Sequence, residues 1–332
     1  MKEIVFVAKY DAQLCEAEER SPQKNEVKVR LKYSALSAGT ERALITANED
    51  GDDCCKFDFP SSSGYSGSGI ITDVGEGVTD FVVGDRVMVH GGGHRQYCTV
   101  DKKEVVKVSD NVDLKYAAFT IIAGFSLAAV RKANIEIGHN CLVCGLGLLG
   151  LFSVQYLKLC GALNIIVSDP IPERRELALE LGADYAFDPT KPDYIDNVKA
   201  VTGYNGVDSV IEVTGNPNAL RSCLKCTKKF GKVVLLGCTR KITEVDFYND
   251  VHRPGIELIG AHSGARPSLE SRPGNWTEMD DCRVTLNYLA KGALNFERII
   301  SEVHSPIDAH SVYERLCHGT LPTGIIFDWD RL

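Results

Sequence analysis

The sequence predicts an α/β protein in two parts: a β-rich part of short strands, and a doubly wound parallel sheet covered by helices on both faces. Three observations predict it. Residues 27–100 hold short runs of alternating or apolar character cut by glycine-rich turns, the signature of a small barrel or sandwich. Residues 141–261 hold short apolar runs that alternate with segments of helical period, which implies a parallel sheet buried on both sides. The length, 332 residues, fits about two domains at ~150 residues each.

Taken in order, Val27-Lys28-Val29-Arg30-Leu31-Lys32-Tyr33 alternates apolar and polar, the period of a half-buried strand. Strands follow at Gly69–Val74, Arg86–Val89 and Tyr97–Val100. Turn signals at Gly75-Glu76-Gly77, Gly84-Asp85 and Gly91-Gly92-Gly93 separate them. Asn48 to Asp53, with Cys54 and Cys55 beyond, reads as an acidic surface loop. Cys141–Cys144 is then a short apolar strand and Leu148–Leu159 a helix. Asn164–Ser168 is a second strand, and Glu173–Leu181 a second helix closed by Gly182. Val207–Val213, Lys232–Leu236 and Ile256–Ala261 continue the strands. Near the end, Thr277 is placed to cap a helix over Met279–Lys291 that Gly292 stops, and a last helix spans Ala309–His318.

Composition excludes several functions. Lys plus Arg is 37 against 45 Asp plus Glu, a net charge of −8, which argues against a nucleic-acid partner because phosphate binding needs a basic face. At 44% hydrophobic and 25% charged the chain is too apolar to be disordered. The longest apolar stretch, Cys141–Leu157, is interrupted by Gly145, Gly147, Gly150, Ser153 and Gln155, so no membrane span is expected. The first residues carry no apolar segment followed by a cleavage site. With that, 12 scattered cysteines point to reduced thiols and a cytoplasmic location. Cys141 and Cys144 face opposite sides of a strand, while Cys223 and Cys226 share a helix face without a second pair at finger spacing, so packing explains them better than metal.

Gly145-Leu146-Gly147-Leu148-Leu149-Gly150 fits G-x-G-x-x-G. It follows a predicted strand and opens a predicted helix, the context that gives this pattern meaning. The first glycine permits the tight turn, the second lets backbone approach a pyrophosphate, and the third lets helix pack on strand. The helix N-terminus offers free N–H groups to the phosphates. Asp169 ends the next strand, where a carboxylate accepts the adenosine ribose hydroxyls and repels a 2′-phosphate, so NAD is expected over NADP. Arg174 and Arg175 follow and complicate that preference. Thr214, Gly237 and His262, each just past a predicted strand, are further cofactor candidates, because ligands bind beyond the carboxyl ends of parallel strands.

Together with Gly75-Glu76-Gly77-Val78, Val83-Gly84-Asp85-Arg86-Val87 and Leu181-Gly182-Ala183-Asp184, these residues resemble the medium-chain dehydrogenase/reductase superfamily along nearly the whole chain. Ser37-Ala38-Gly39-Thr40-Glu41-Arg42 and Gly64-Tyr65-Ser66 resemble a branch of bacteriochlorophyllide dehydrogenase-like and sugar-alcohol dehydrogenase-like proteins. The resemblance implies a Rossmann domain, residues 119–262, inserted in a GroES-like β-barrel catalytic domain, residues 1–118 and 263–332, with a cleft between them. It also implies where zinc ligands would stand, and this chain departs there: Ala38 replaces a cysteine, Tyr65 a histidine, Ser66 an acidic residue and Ala123 a further cysteine. The four-cysteine lobe expected after Val87 is replaced by His90-Gly91-Gly92-Gly93-His94. No metal is therefore expected.

Without zinc, a hydrogen-bond donor must take over polarising the substrate oxygen. Tyr65 leads, since it stands at a former ligand position. Its phenol, ordinarily titrating near ~10, must either become more acidic or act only by donating. Thr40 matches the superfamily position that relays the substrate proton. Glu41 is expected to orient a water or hydroxyl, or else to pair with Arg42 or Arg86. His90 and His94 are candidate acids or bases. The expected function is NAD-dependent interconversion of a secondary alcohol and a ketone on a sugar, polyol or cyclitol. The alternatives are a reductase of activated C=C bonds and a nucleotide-binding protein without catalysis. A homodimer is expected, because the family pairs edge strands of its Rossmann sheets.

Overall fold

The computed structural model describes residues 1–49, 58–319 and 322–332, so Asp50–Asp53, Cys54 and Cys55 of the expected acidic loop lie outside the described residues. Asn48, counted in that loop, is buried. The chain forms two units: Met1–Ile122 with Cys282–Leu332, and Ala123–Asp281.

The first unit begins with β1 (Lys2–Ala8), β2 (Asp11–Glu16) and β3 (Glu26–Ala35), followed by helix α1 (Ala38–Ile45). Then come β4 (Ser61–Ser62), β5 (Ser66–Val74), β6 (Arg86–His90), β7 (Tyr97–Asp101), β8 (Val105–Lys107) and the one-turn α2 (Leu114–Ala117). Through α3 (Thr120–Ala133) the chain passes into the second unit. In β3 the alternation holds over its first half: Val27, Val29 and Leu31 are buried, while Arg30 stays exposed. They join Ile4, Phe6, Ile71, Val87, Val89, Tyr313, Phe327 and Trp329 in one core.

The second unit holds β9 (Asn140–Cys144), α4 (Leu148–Leu159), β10 (Asn164–Ser168), α5 (Pro172–Glu180), β11 (Tyr185–Phe187) and α6 (Tyr194–Val201). It continues with β12 (Val207–Glu212), α7 (Pro217–Cys226), β13 (Thr227–Leu235) and β14 (Glu257–Gly260). Its strands pair in parallel in the order β11-β10-β9-β12-β13-β14. The chain order reverses between β9 and β12, the switch point at which open parallel sheets bind ligands. This confirms the α/β class and the Rossmann-type sheet. Helix α4 is buried from Gly150 to Leu157, so its periodicity is apolar nearly all round.

The chain returns to the first unit along α8 (Glu278–Ala290), capped by Thr277, whose hydroxyl accepts the Asp280 N–H at 3.2 Å. It then forms β15 (Glu302–His304), α9 (Ala309–Cys317) and β16 (Ile325–Asp328). Strand β16 pairs antiparallel with β3, and β15 parallel with β16. The larger sheet of the first unit runs β15-β16-β3-β5-β6-β8, with β7 also on β3. The return crossing comes at Asp281/Cys282 rather than after residue 262. Polar ties explain it: Arg131 Nε donates to Asp281 at 2.8 Å, and Arg266 donates to the Gly124 carbonyl at 2.5 Å and to Asp281 at 3.4 Å. Residues 263–281 therefore pack with the nucleotide-type unit. No helix among the described residues is long and apolar enough to cross a membrane.

Candidate active site

The glycine turn sits between β9 and α4 as the sequence predicts. Gly145 has φ +94°, and a Cβ there would lie 2.7 Å from Thr214 Cγ2. A Cβ on Gly150 would lie 2.0 Å from the Gly145 carbonyl oxygen, so any side chain would part helix from turn. Gly147 is the N-cap of α4 with no side-chain cap, and a Cβ there would meet nothing within 4 Å. The turn thus has open space beside Gly147 at the helix N-terminus, where free N–H groups fit a phosphate. Leu148 and Leu149 form the first turn of α4, half-buried, and the Leu149 carbonyl accepts the Ser126 and Ser153 hydroxyls at 2.7 Å each.

Asp169 follows β10 directly and is only 4% exposed. One carboxylate oxygen accepts the Leu146 N–H at 2.8 Å, the other the Ile171 N–H at 2.9 Å. The Leu146 N–H is therefore spent on Asp169 rather than left for phosphate. Each oxygen keeps a lone pair for a ribose hydroxyl. Arg174 stands 3.7 Å from the carboxylate, and Arg175 donates to the Asp169 carbonyl at 2.6 Å. The two arginines thus hold Asp169 from both ends. These residues fit the adenosine half of a dinucleotide.

At the switch point, Glu212 ends β12 in register with Cys144 of β9. It is 1% exposed. Its carboxylate accepts the Thr214 N–H at 2.8 Å, the Thr214 hydroxyl, and the Gly215 N–H at 3.1 Å. Burial pushes its carboxyl above the usual range, opposed by those donors. Thr214 itself is exposed. Gly237 donates its N–H to the Glu212 carbonyl at 2.8 Å, which continues the β12–β13 pairing past the strand ends. A Cβ on Gly237 would lie 2.4 Å from Gly215 N. His262 lies beyond β14, exposed, with Nδ1 accepting the Gly264 N–H at 3.1 Å. It therefore caps a short 3-10 turn instead of ending the last strand.

In the first unit, Tyr65 immediately precedes β5 and its hydroxyl donates to Ser37 Oγ at 2.7 Å. Thr40 is exposed on α1. His90 closes β6, half-buried, with Nδ1 2.8 Å from Glu104. Glu41 and His94, two of the expected acid/base candidates, are 0% and 1% exposed. One Glu41 oxygen accepts the Ser37 N–H at 2.7 Å; the other meets His94 Nε2 at 3.0 Å and accepts the Tyr313 hydroxyl. His94 Nδ1 lies 2.7 Å from Ser34 Oγ, which also accepts the Trp329 indole N–H at 2.9 Å. Both are thus corrected from substrate-facing groups to members of a buried network. Arg86, an expected Glu41 partner, instead donates to the Ser109 and Val112 carbonyls at 2.6 Å each. Burial and the Glu41 charge hold the Tyr313 phenol well above its usual range.

Sequence reasoning missed Ser37, Ser34, Tyr313, Trp329 and Glu212. Only Glu212 carried a local signal, an acidic residue ending an apolar strand before Thr-Gly. The others are joined by contacts far apart in the chain.

At the positions where the resemblance expects zinc ligands, Ala38 and Ala123 offer no lone pair. Tyr65 is bonded to Ser37, and Ser66 donates its hydroxyl to the Ala118 carbonyl. These side chains do not fit a zinc ion. Among the described residues, no group of three or more His, Cys, Asp or Glu side chains is placed to hold a metal. The thiols of Cys98, Cys141 and Cys226 are pushed up to about 12 by burial, which suits packing rather than ligation.

Comparison with known proteins agrees with this architecture. The family described as alcohol dehydrogenase GroES-like domain matches residues 23–110, and the family described as zinc-binding dehydrogenase matches residues 149–280. The D-guloside 3-dehydrogenase of Escherichia coli (strain K12) is 28% identical over 324 residues, 91% of this chain and 92% of that protein. Galactitol-1-phosphate dehydrogenase from Escherichia coli superposes with a TM-score of 0.86 at 19% identity, covering 99% of this chain and 100% of that one. The 2R,3R-butanediol dehydrogenase from Bacillus subtilis gives 0.84 at 23% identity, over 98% and 99%. The order of the two matched segments, the parallel sheet with its glycine turn and the β-rich first unit together support the medium-chain dehydrogenase/reductase superfamily for this chain.

Proposed function

We propose that the protein is a zinc-independent, NAD(H)-dependent dehydrogenase that interconverts a secondary alcohol and a ketone on a sugar, polyol or cyclitol. The observation that carries the cofactor reading is the pairing of the open turn at Gly147 with the near-buried Asp169 carboxylate. Bound NAD supplies or accepts the hydride. The N–H groups at the start of α4 hold the pyrophosphate. The free lone pairs of Asp169 accept ribose hydroxyls, and its charge disfavours a 2′-phosphate. In the first unit, Tyr65 donates its hydroxyl hydrogen bond to the substrate oxygen, and exposed Thr40 contacts the substrate hydroxyl and passes its proton outward. The substrate class is supported by the likeness to a guloside dehydrogenase along 91% of the chain.

The test has three arms. NADH and NADPH are titrated by fluorescence; tighter NADPH binding overturns the role of Asp169. Elemental analysis follows purification; stoichiometric zinc overturns the metal-free reading. Methyl hexopyranosides, hexitols and inositols are screened with NAD, against quinones and enones with NADH and NADPH; turnover of the latter set alone overturns the alcohol reading.

The six-stranded sheet has edges at β11 and β14, and we assign β14 to pairing with a second copy of the chain. Light scattering that gives one chain per particle refutes this. A cytoplasmic location accords with the scattered free thiols.

A further inference from the structure

Ser37 occupies the N-cap of α1, where serine ordinarily accepts a backbone N–H of the first turn. Here its side chain makes no such cap. The end of the helix is tied differently: Glu41, four residues on, reaches back to take the Ser37 N–H at 2.7 Å, while the Glu41 N–H donates to the Ser37 carbonyl at 2.9 Å. The tie comes from the fourth helical residue, one beyond the position a capping box uses, and the serine half of such a box is missing. The hydroxyl released from capping accepts the Tyr65 O–H at 2.7 Å instead. Ser37 is only 9% exposed, so this geometry is held by packing rather than by a mobile surface side chain.

An acceptor alone would hold the Tyr65 proton away from substrate. A serine hydroxyl, however, carries its own hydrogen as well as its lone pairs. Among the described residues, the Ser37 hydroxyl has no acceptor for that hydrogen. Rotation about the Cβ–Oγ bond therefore lets it exchange accepting from Tyr65 for donating to it.

We propose that Ser37 is the positioning residue of Tyr65: its hydroxyl aims the phenol at rest, and turns to donate to the phenolate oxygen once Tyr65 has given its proton away. This rests on the reading of Tyr65 as the donor to substrate. In the direction of reduction, the substrate carbon gains a hydride and its oxygen takes the phenol proton. The Tyr65 O–H bond breaks, its electron pair stays on the phenol oxygen, and a proton returns to it from water by way of the Thr40 hydroxyl after product leaves. Oxidation runs the same steps backwards. Glu41 is the charged group packed against this pair on α1, with His94 of the loop after β6 and Tyr313 of α9 bonded to its far oxygen. Its charge meets the Ser37 N–H, the Tyr313 hydroxyl and His94, while the Ser37 hydroxyl stands 2.7 Å from the phenol oxygen.

The experiment needs no substrate. An alkaline ultraviolet titration of wild type minus Tyr65→Phe isolates the phenolate signal of Tyr65. The same difference is taken in Ser37→Ala and Ser37→Thr backgrounds. A donor to a charged oxygen is expected to be worth about one to two pH units, so the midpoint rises by that much in Ser37→Ala and returns in Ser37→Thr, which keeps the hydroxyl. An unchanged midpoint in Ser37→Ala overturns the proposal. Ser37→Cys, of similar volume and with only a weak donor, gives the same reading if the alanine variant does not fold. Turnover separates the two claims: if Tyr65→Phe leaves the rate unchanged while Ser37→Ala still moves the midpoint, the pairing stands and the donor role of Tyr65 falls.

Discussion

Replacing Glu41 by alanine removes the acceptor for three groups in the interior of the first unit: the Ser37 N–H, the Tyr313 hydroxyl and His94 Nε2. Each buried polar group left without a partner costs about 1–3 kcal/mol. Water entering the space vacated by the side chain recovers part of that. The expected loss is therefore about 3–5 kcal/mol, the range for breaking a buried charged pair by removing one partner. Glu41→Gln keeps one carbonyl oxygen, enough for the Ser37 N–H or for the Tyr313 hydroxyl but not for both, and sets an amide N–H2 on the other side, so about 1–3 kcal/mol is expected. The assay is urea unfolding read by Trp329, which is 3% exposed and bonded to Ser34 at the end of the same network. The chain has 2 tryptophans, and Trp276→Phe leaves Trp329 as the sole reporter of the first unit. This matters because the two units need not unfold together. A double-mutant cycle with His94→Ala completes the test. A loss below about 1 kcal/mol in Glu41→Ala, or full additivity with His94→Ala, refutes a shared network as the reason for burying this carboxylate.

Gly147→Ala is expected to leave the melting temperature unchanged, because its Cβ meets nothing within 4 Å, yet to weaken NADH binding at least tenfold by filling the space beside the helix N-terminus; fluorescence titration reads it. Gly150→Ala is expected to lower both stability and NADH affinity, since its Cβ falls 2.0 Å from the Gly145 carbonyl, and a normal melting curve would show that the turn can give way. Asp169→Ser is expected to narrow the preference for NADH over NADPH about tenfold or more, with Arg174 then free to meet a 2′-phosphate; the ratio of the two dissociation constants decides it. Glu302 is held down to about 2, first by its bidentate Arg315 partner and also by His304, against the opposing effect of burial. A depressed carboxyl stabilises the fold fully above its unfolded value of ~4.3, and that stability is lost as pH falls towards about 2. Denaturant midpoints of Glu302→Gln should therefore vary less than wild type across that acid window, and parallel curves would count against the pair.

The nucleotide-type unit was legible because its signals are local. Strand β9, the glycine turn, α4, β10 and Asp169 follow one another within a single stretch, and α4 starts and stops at the predicted Leu148 and Leu159. Chemistry in the first unit was legible only in part. Tyr65 and Thr40 were named from their place in motifs, but Glu41 and His94 drew attention as titratable residues without any sign that they would meet each other inside the core. Their partners lie far along the chain, with Trp329 bonded to a serine 295 residues before it. No periodicity reports such a pairing. Helix α1 was hidden for another reason: Gly39 and Thr40 in its first turn have weak helix propensity, and the segment is held by the Glu41 tie to Ser37. Strands β15 and β16, with 3 and 4 residues, are too short for alternation to register.

The division of the first unit in the sequence has a bearing on biosynthesis. Its larger sheet needs β16, and its core needs Phe327 and Trp329, all made after residue 324. The Ala123–Asp281 unit is one uninterrupted stretch, complete well before then. During translation, at ~5–20 residues per second, the earlier-made strands wait with the Tyr33–Ala35 end of β3 lacking its β16 partner while the later-made unit is already closed. Nascent chains stalled before residue 325 should accordingly bind holdase chaperones through the N-terminal strands, and released chains should not.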